Sequence, residues 1–236
     1  MNLNINQIAE QIRAVEDKTP DGKKILQQLK NYKKRTAVIG ITGPPGCGKS
    51  TLINCLIAEY RKENKKIGVL AIDPSSSKTK GALLGDRIRM QSHTLDKDVF
   101  IRSFATRGSL GGLSKAVEPA VKILDNAGYE IVIIETVGAG QNETEIKKIA
   151  DAVVLVTTAD TLDDIQLLKA GIIEIADVLV VNKTDLNNNV SVEHLESILG
   201  IPVILTVATQ KKGIGQLVET IENIRVNSCF VHGTKC

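Results

Sequence analysis

Residues 43–50 read Gly43-Pro44-Pro45-Gly46-Cys47-Gly48-Lys49-Ser50, a G-x-x-x-x-G-K-[ST] loop. Its chemistry is phosphate binding. Glycines let backbone N–H groups turn toward a polyphosphate, and a following helix adds the positive end of its dipole. The ammonium of Lys49 can reach β- and γ-phosphates, and the hydroxyl of Ser50 is a hard ligand suited to Mg²⁺. Gly43, Pro44, Gly46, Cys47, Gly48, Lys49, Ser50 and Thr51 are the candidate cradle. The loop also has the right neighbours. Thr36–Thr42 is apolar and β-prone, and Thr51–Ala58 suits a helix.

A second cluster, Asn182-Lys183-Thr184-Asp185, follows the apolar run Val178–Val181. The Asp185 carboxylate can accept two hydrogen bonds from the N1–H and N2–H₂ edge of guanine. Adenine lacks that donor pair, and a poorly matched carboxylate is costly, so this spacing favours GTP over ATP. The aliphatic stem of Lys183 can cover the ring.

Two acids also end apolar runs. Asp73 closes 67–72, and Glu135 closes 130–134 and opens Glu135-Thr136-Val137-Gly138. One or both can hold Mg²⁺ directly or through water. Gly138 can approach a γ-phosphate by its backbone N–H, so that segment can sense the phosphate, as nucleotide switches do. Arginines lie in Gly85-Asp86-Arg87-Ile88-Arg89-Met90 and Thr106-Arg107-Gly108. Arg89 or Arg107 is a candidate finger on the transferring phosphoryl group, beside Lys49. No residue is spaced to position the attacking water, and Gln141 lies too far along its loop.

These residues need a frame. Strands are expected at 36–42, 67–72, 99–103, 130–134, 152–157, 178–182 and 202–206. Helices are expected at 50–63, 114–127, 143–150, 162–174, 191–199 and 214–225. The strands are continuous apolar runs, as in a parallel sheet covered on both faces. Their alternation with helices predicts a doubly wound α/β sheet whose ligands sit at the C-terminal strand ends. Amphipathic stretches at 5–16 and 22–32 predict a helical hairpin turning at Pro20-Asp21-Gly22. The expected division is an N-terminal helical extension (1–35), a phosphate-loop domain (36–226) and a C-terminal tail (227–236).

Composition excludes several classes. The 236 residues are 42% hydrophobic with a formal charge of +3 and no basic cluster, so nucleic acid is not an expected partner. No run approaches the ~20 apolar residues that span a bilayer. The N-terminus has no signal-peptide pattern, and four cysteines without C-x-x-C spacing read as reduced thiols; a cytoplasmic location is expected.

The motifs together resemble the MeaB/ArgK family of GTPases, which includes the MMAA proteins. The matching stretches are Gly40–Gly46, Asp73-Pro74-Ser75-Ser76, Leu84–Met90, Arg107–Gly112, Glu135–Gln141 and Asn182–Asp185, spread over about residues 36 to 210. The resemblance implies a SIMIBI-type G domain that binds GTP and GDP. It implies a magnesium site lined by Ser50, Asp73, Asp86 and Glu135. It also implies slow GTP hydrolysis, stimulated by an adenosylcobalamin-dependent mutase such as methylmalonyl-CoA mutase, to which the protein is chaperone. Residues 158–171 would then move with nucleotide state. Family members dimerise through a C-terminal helical arm with no counterpart in these 236 residues, so that route to a homodimer is not expected. The capping serine of other members is also replaced here, in Val207-Ala208-Thr209; the resemblance implies that the backbone N–H of Ala208 still reaches the guanine O6. Two rivals are a metallochaperone GTPase and an ArgK-type kinase or ATPase linked to amino-acid transport. The few scattered histidines weigh against the first, and the guanine motif against the second.

Overall fold

The computed structural model describes residues 3–73, 96–105, 112–136, 145–162, 173–186 and 190–232. Its centre is a seven-stranded sheet: β1 (Ala37–Thr42), β2 (Ile67–Asp73), β3 (Val99–Ala105), β4 (Ile131–Thr136), β5 (Ala152–Thr158), β6 (Val178–Asn182) and β7 (Val203–Leu205). The order is β3-β2-β4-β1-β5-β6-β7 and every pairing is parallel. All seven expected strands form. β1 and β4 are buried at every position, so their uninterrupted apolar sequence follows from a sheet covered on both sides.

One covering layer is α3 (Lys49–Lys62) with α7 (Ile214–His232); the other is α4 (Gly112–Asn126) with α1 (Ile5–Glu16) and α2 (Pro20–Leu29). Side chains of β1 alternate between them. Ala37, Ile39 and Ile41 join Leu52, Leu56 and Leu217 on the α3 side. Val38 joins Ile8, Ile12 and Val121 on the other. The hairpin therefore shares the sheet's core, and Arg102 of β3 ties it down through the carbonyl of Ala9 and the carboxylate of Glu16. Short helices α5 (Ala159–Leu162) and α6 (Val192–Leu199) complete the described elements, with 3₁₀ turns at Ile173–Ile175 and Ala208–Gln210.

Two local expectations change. Pro20-Asp21-Gly22 is the first turn of α2 and not a connecting turn. Thr19 caps it, accepting the Gly22 N–H at 3.1 Å, with Pro20 just inside the start, where no N–H is needed. α7 continues to His232, past the boundary expected at 226, so a helix runs into the stretch read as a tail. Of the helix expected at 162–174, residues 163–172 lie outside the described residues; Leu162 ends α5, and Ile173–Ile175 form a 3₁₀ turn. No helix among the described residues is long and apolar enough to cross a membrane.

Candidate functional site

β1 delivers the chain to the loop, and two backbone positions shape it. Gly43 has φ +142°, and a Cβ there would lie 2.0 Å from the Val156 carbonyl oxygen of β5. Gly48 has φ +94°, and a Cβ would lie 2.4 Å from Asn182 Nδ2. Only glycine fits either place. Helix α3 starts directly after Gly48, so the loop is the N-terminal approach to a fourteen-residue helix.

Lys49 is 7% exposed, and its ammonium donates to the carbonyls of Gly43 and Pro44 at 2.8 and 2.9 Å. A buried cation is thereby solvated by the loop it serves, which holds it at the cradle. Ser50 Oγ donates to Glu135 Oε1 at 2.9 Å. Glu135 is buried, and it stands in register with Ile41 of β1 and Ala71 of β2. This topology explains the meeting. β4 lies between β1 and β2, so its C-terminal carboxylate arrives beside the first turn of α3. A hydroxyl and a carboxylate this close form a hard-oxygen donor set of the kind Mg²⁺ takes. A cleft of about 530 Å³ opens over these groups, walled by Pro45, Gly46, Lys49, Ser50, Glu135 and Lys183 among others.

The second cluster is joined to the first by side chains. Asn182, 2% exposed, donates from Nδ2 to the Cys47 carbonyl at 2.9 Å. Its Oδ1 accepts from Thr206 Oγ1 at 3.0 Å and from the Ala208 N–H at 3.1 Å. Lys183, at φ +62°, donates to the Gly46 carbonyl at 2.8 Å. Asp185 is exposed beside it. Thr184 donates its N–H and its hydroxyl to the Thr206 carbonyl, both at 3.3 Å. The turns after β1, β6 and β7 thus form one connected rim.

Two base-site candidates have protein partners at this rim. The Ala208 N–H, expected to face a guanine O6, is engaged by Asn182 in this structure. That bond holds the segment after β7 against the end of β6. Asn182, through Cys47, Thr206 and Ala208, clamps the loops together. Cys47 is 2% exposed, and burial pushes its thiol above the usual range, so it is not a poised nucleophile. The backbone of Asp73 ends β2, as expected. Asp86, Arg89, Arg107, Gly138 and Gln141 lie outside the described residues. Cys55 was missed by sequence reading. Its Sγ donates to the Ala208 carbonyl at 3.1 Å, a contact between residues 153 apart with no local signature.

The comparisons agree with this geometry. Residues 8–229 match the model of the family described as methylmalonyl Co-A mutase-associated GTPase MeaB. A putative GTPase of Pyrococcus horikoshii is 48% identical over 229 residues, covering 91% of this chain and 72% of that protein. The GTPase ArgK of Escherichia coli is 36% identical over 228 residues, 89% of this chain and 69% of its own. Among solved structures, one described as LAO/AO transport system kinase superposes with a TM-score of 0.76 at 27% identity, over 97% of this chain and 72% of that one. The chain belongs to the MeaB family of GTPases.

Proposed function

We propose that this protein binds GTP·Mg²⁺ in the 530 Å³ cleft, hydrolyses it, and couples that cycle to an adenosylcobalamin-dependent acyl-CoA mutase as its chaperone. The observation that carries the nucleotide reading is the convergence on one loop. Lys49, Asn182 and Lys183 all donate to carbonyls between Gly43 and Cys47, which brings the phosphate and base motifs to one rim.

In this reading the phosphates lie on Gly43, Pro44, Gly46, Cys47, Gly48, Lys49, Ser50 and Thr51. Lys49 exchanges its two carbonyl partners for phosphate oxygens. Each loop carbonyl is a weaker partner for an ammonium than a charged phosphoryl oxygen. Asp185 accepts from the guanine edge and Lys183 covers the ring. Ser50 and Glu135, with Asp73 and Asp86, hold the magnesium, which supplies charge stabilisation at the β- and γ-phosphates. Gly138 approaches the γ-phosphate, and Arg89 or Arg107 neutralises charge on the phosphoryl oxygens. The division into a helical extension (1–35), a G domain (36–226) and a C-terminal segment belongs to the same proposal. So does the mutase, whose support is the family's description as mutase-associated.

The test is the GTP hydrolysis rate of the purified chain, alone and with its host's adenosylcobalamin-dependent mutases. Stimulation of about tenfold or more, equivalent to about 1.4 kcal/mol of barrier, is the expected result. Hydrolysis indifferent to every such mutase would leave a GTPase with a different client.

A further inference from the structure

The segment that follows β7 is gripped from two sides. From β6, Asn182 Oδ1 takes the Ala208 N–H at 3.1 Å and the Thr206 hydroxyl at 3.0 Å. From α3, the Cys55 thiol donates to the Ala208 carbonyl at 3.1 Å. The peptide groups on both sides of Ala208 are therefore fixed, one by the strand that ends in Asn182 and one by the helix that begins at Lys49. Cys55 is 8% exposed and Ala208 3%, so no solvent competes for this contact. Burial also raises the Cys55 thiol above its ordinary range, which keeps the S–H available as a donor. The same carbonyl accepts the Lys211 N–H at 3.1 Å, so losing the thiol would leave it paired but no longer tied to α3.

We propose that Cys55 is a positioning residue for nucleotide specificity: through Ala208 it fixes the distance between the phosphate cradle and the base-reading rim. This rests on the guanine-nucleotide reading above. The physical basis is the rigidity of one helix. α3 carries Lys49 and Ser50 in its first turn and Cys55 in the next, so phosphate contacts and the 206–208 segment share one rigid body. A guanine nucleotide spans both and gains from a preset separation. A ligand made only of phosphates touches the cradle and is indifferent to Cys55.

The experiment measures dissociation constants of GDP, GTP, ATP and inorganic tripolyphosphate for the whole chain, for Cys55→Ala and for Cys55→Ser. A net hydrogen bond of about 1 kcal/mol corresponds to about fivefold. Cys55→Ala is expected to weaken GDP and GTP by about that factor, to leave tripolyphosphate unchanged and to narrow the preference for GTP over ATP. Cys55→Ser, which keeps a donor, should stay within about twofold of the parent, less than the cost of one net hydrogen bond. Unchanged GDP affinity in Cys55→Ala would overturn the proposal. So would an equal loss for tripolyphosphate, because that is general loosening. Should Cys55→Ala fail to fold, Cys55→Val fills the volume without a donor and carries the same comparison. Asp185→Asn, assayed with GDP and xanthosine diphosphate, separates the two ideas. If it does not move preference toward xanthine, whose C2 oxygen accepts from an amide, the guanine reading itself fails. If it does and Cys55→Ala is silent, only the positioning role fails.

Discussion

The two ends of the sheet use the same side-chain types for opposite purposes. At the N-terminal ends of the strands, three aspartates close the structure on itself. Asp151, just before β5, accepts the Val38 N–H at 2.8 Å, donates its own N–H to the Val38 carbonyl at 2.8 Å and meets Lys34 at 2.7 Å. Asp177, just before β6, repeats the arrangement on Val153, with Lys147 at 2.5 Å. Asp125 accepts the Arg35 N–H at 2.6 Å. Each carboxylate accepts a backbone N–H in or just before a strand, and a cation stands beside each. At the C-terminal ends the polar groups bond loop carbonyls and one another around a cleft: Lys49 to two loop carbonyls, Ser50 to Glu135, Lys183 to Gly46. These pairings can be exchanged for phosphate or metal without unpairing a strand. A parallel sheet therefore separates stability from ligand chemistry along its own axis.

Substitutions at the two ends should then fail differently. The largest effect is expected for Lys49→Ala, with GTP affinity falling by about a hundredfold or more, since a charge-assisted contact is worth about 1.5–3 kcal/mol and Lys49 makes several. Calorimetric titration reads the affinity, and a melting curve should stay within a few degrees of the parent. Asp151→Ala should do the reverse. It removes the acceptor of a strand N–H and the Lys34 pair, costs about 2 kcal/mol of stability and lowers the melting temperature by about 4–8 °C. GTP affinity measured well below that temperature should be retained. Collapse of affinity in Asp151→Ala, or of stability in Lys49→Ala, would break the division between ends.

Glu135→Gln sharpens the comparison, because Glu135 is more buried than Asp151 or Asp177 yet sits at the cleft end. It should weaken the magnesium dependence of GTP binding about tenfold, about 1.4 kcal/mol, while binding of nucleotide in excess EDTA changes little. An unaltered magnesium titration would move Glu135 to the structural class.

The smallest effect at neutral pH belongs to Tyr129, at the N-terminal end, packed edge-on to Phe100 at 6.3 Å. Burial, with Asp98 and Asp96 nearby, pushes its phenol up to about 12. The folded state therefore prefers the protonated form. The stabilisation is complete below the unfolded value near 10 and is lost as pH rises toward 12, by about 2–3 kcal/mol in total. Urea titrations from pH 8 to 12 should show that decline, and Tyr129→Phe should flatten it without touching nucleotide affinity.

Legibility in the sequence follows the same division. The phosphate loop was readable because its geometry is local: glycine conformations, a strand before and a helix after. Asp185 and Lys183 were readable as a motif, and Glu135 by its place after an apolar run. The repeated Ala-Asp before β5 and β6 was in plain view and went unread, since an acid beside an apolar run has no stated role until its partner strand is known. Pro20-Asp21-Gly22 misled because the residue types that make turns also start helices, and Thr19 decided between them.

By itself the sequence determined the alternation of elements, the burial of both faces of the sheet, and the chemistry at each strand end. Periodicity, propensity and short motifs are properties of neighbouring residues. Only the tertiary structure decided which ends meet. The strand order β3-β2-β4-β1-β5-β6-β7 joins Ser50 to Glu135 across 85 residues, Cys47 to Asn182 across 135 and Cys55 to Ala208 across 153. Such contacts depend on how the whole chain packs. That is why the contacts of Asn182 with Cys47 and of Cys55 with Ala208 emerged only from the folded molecule.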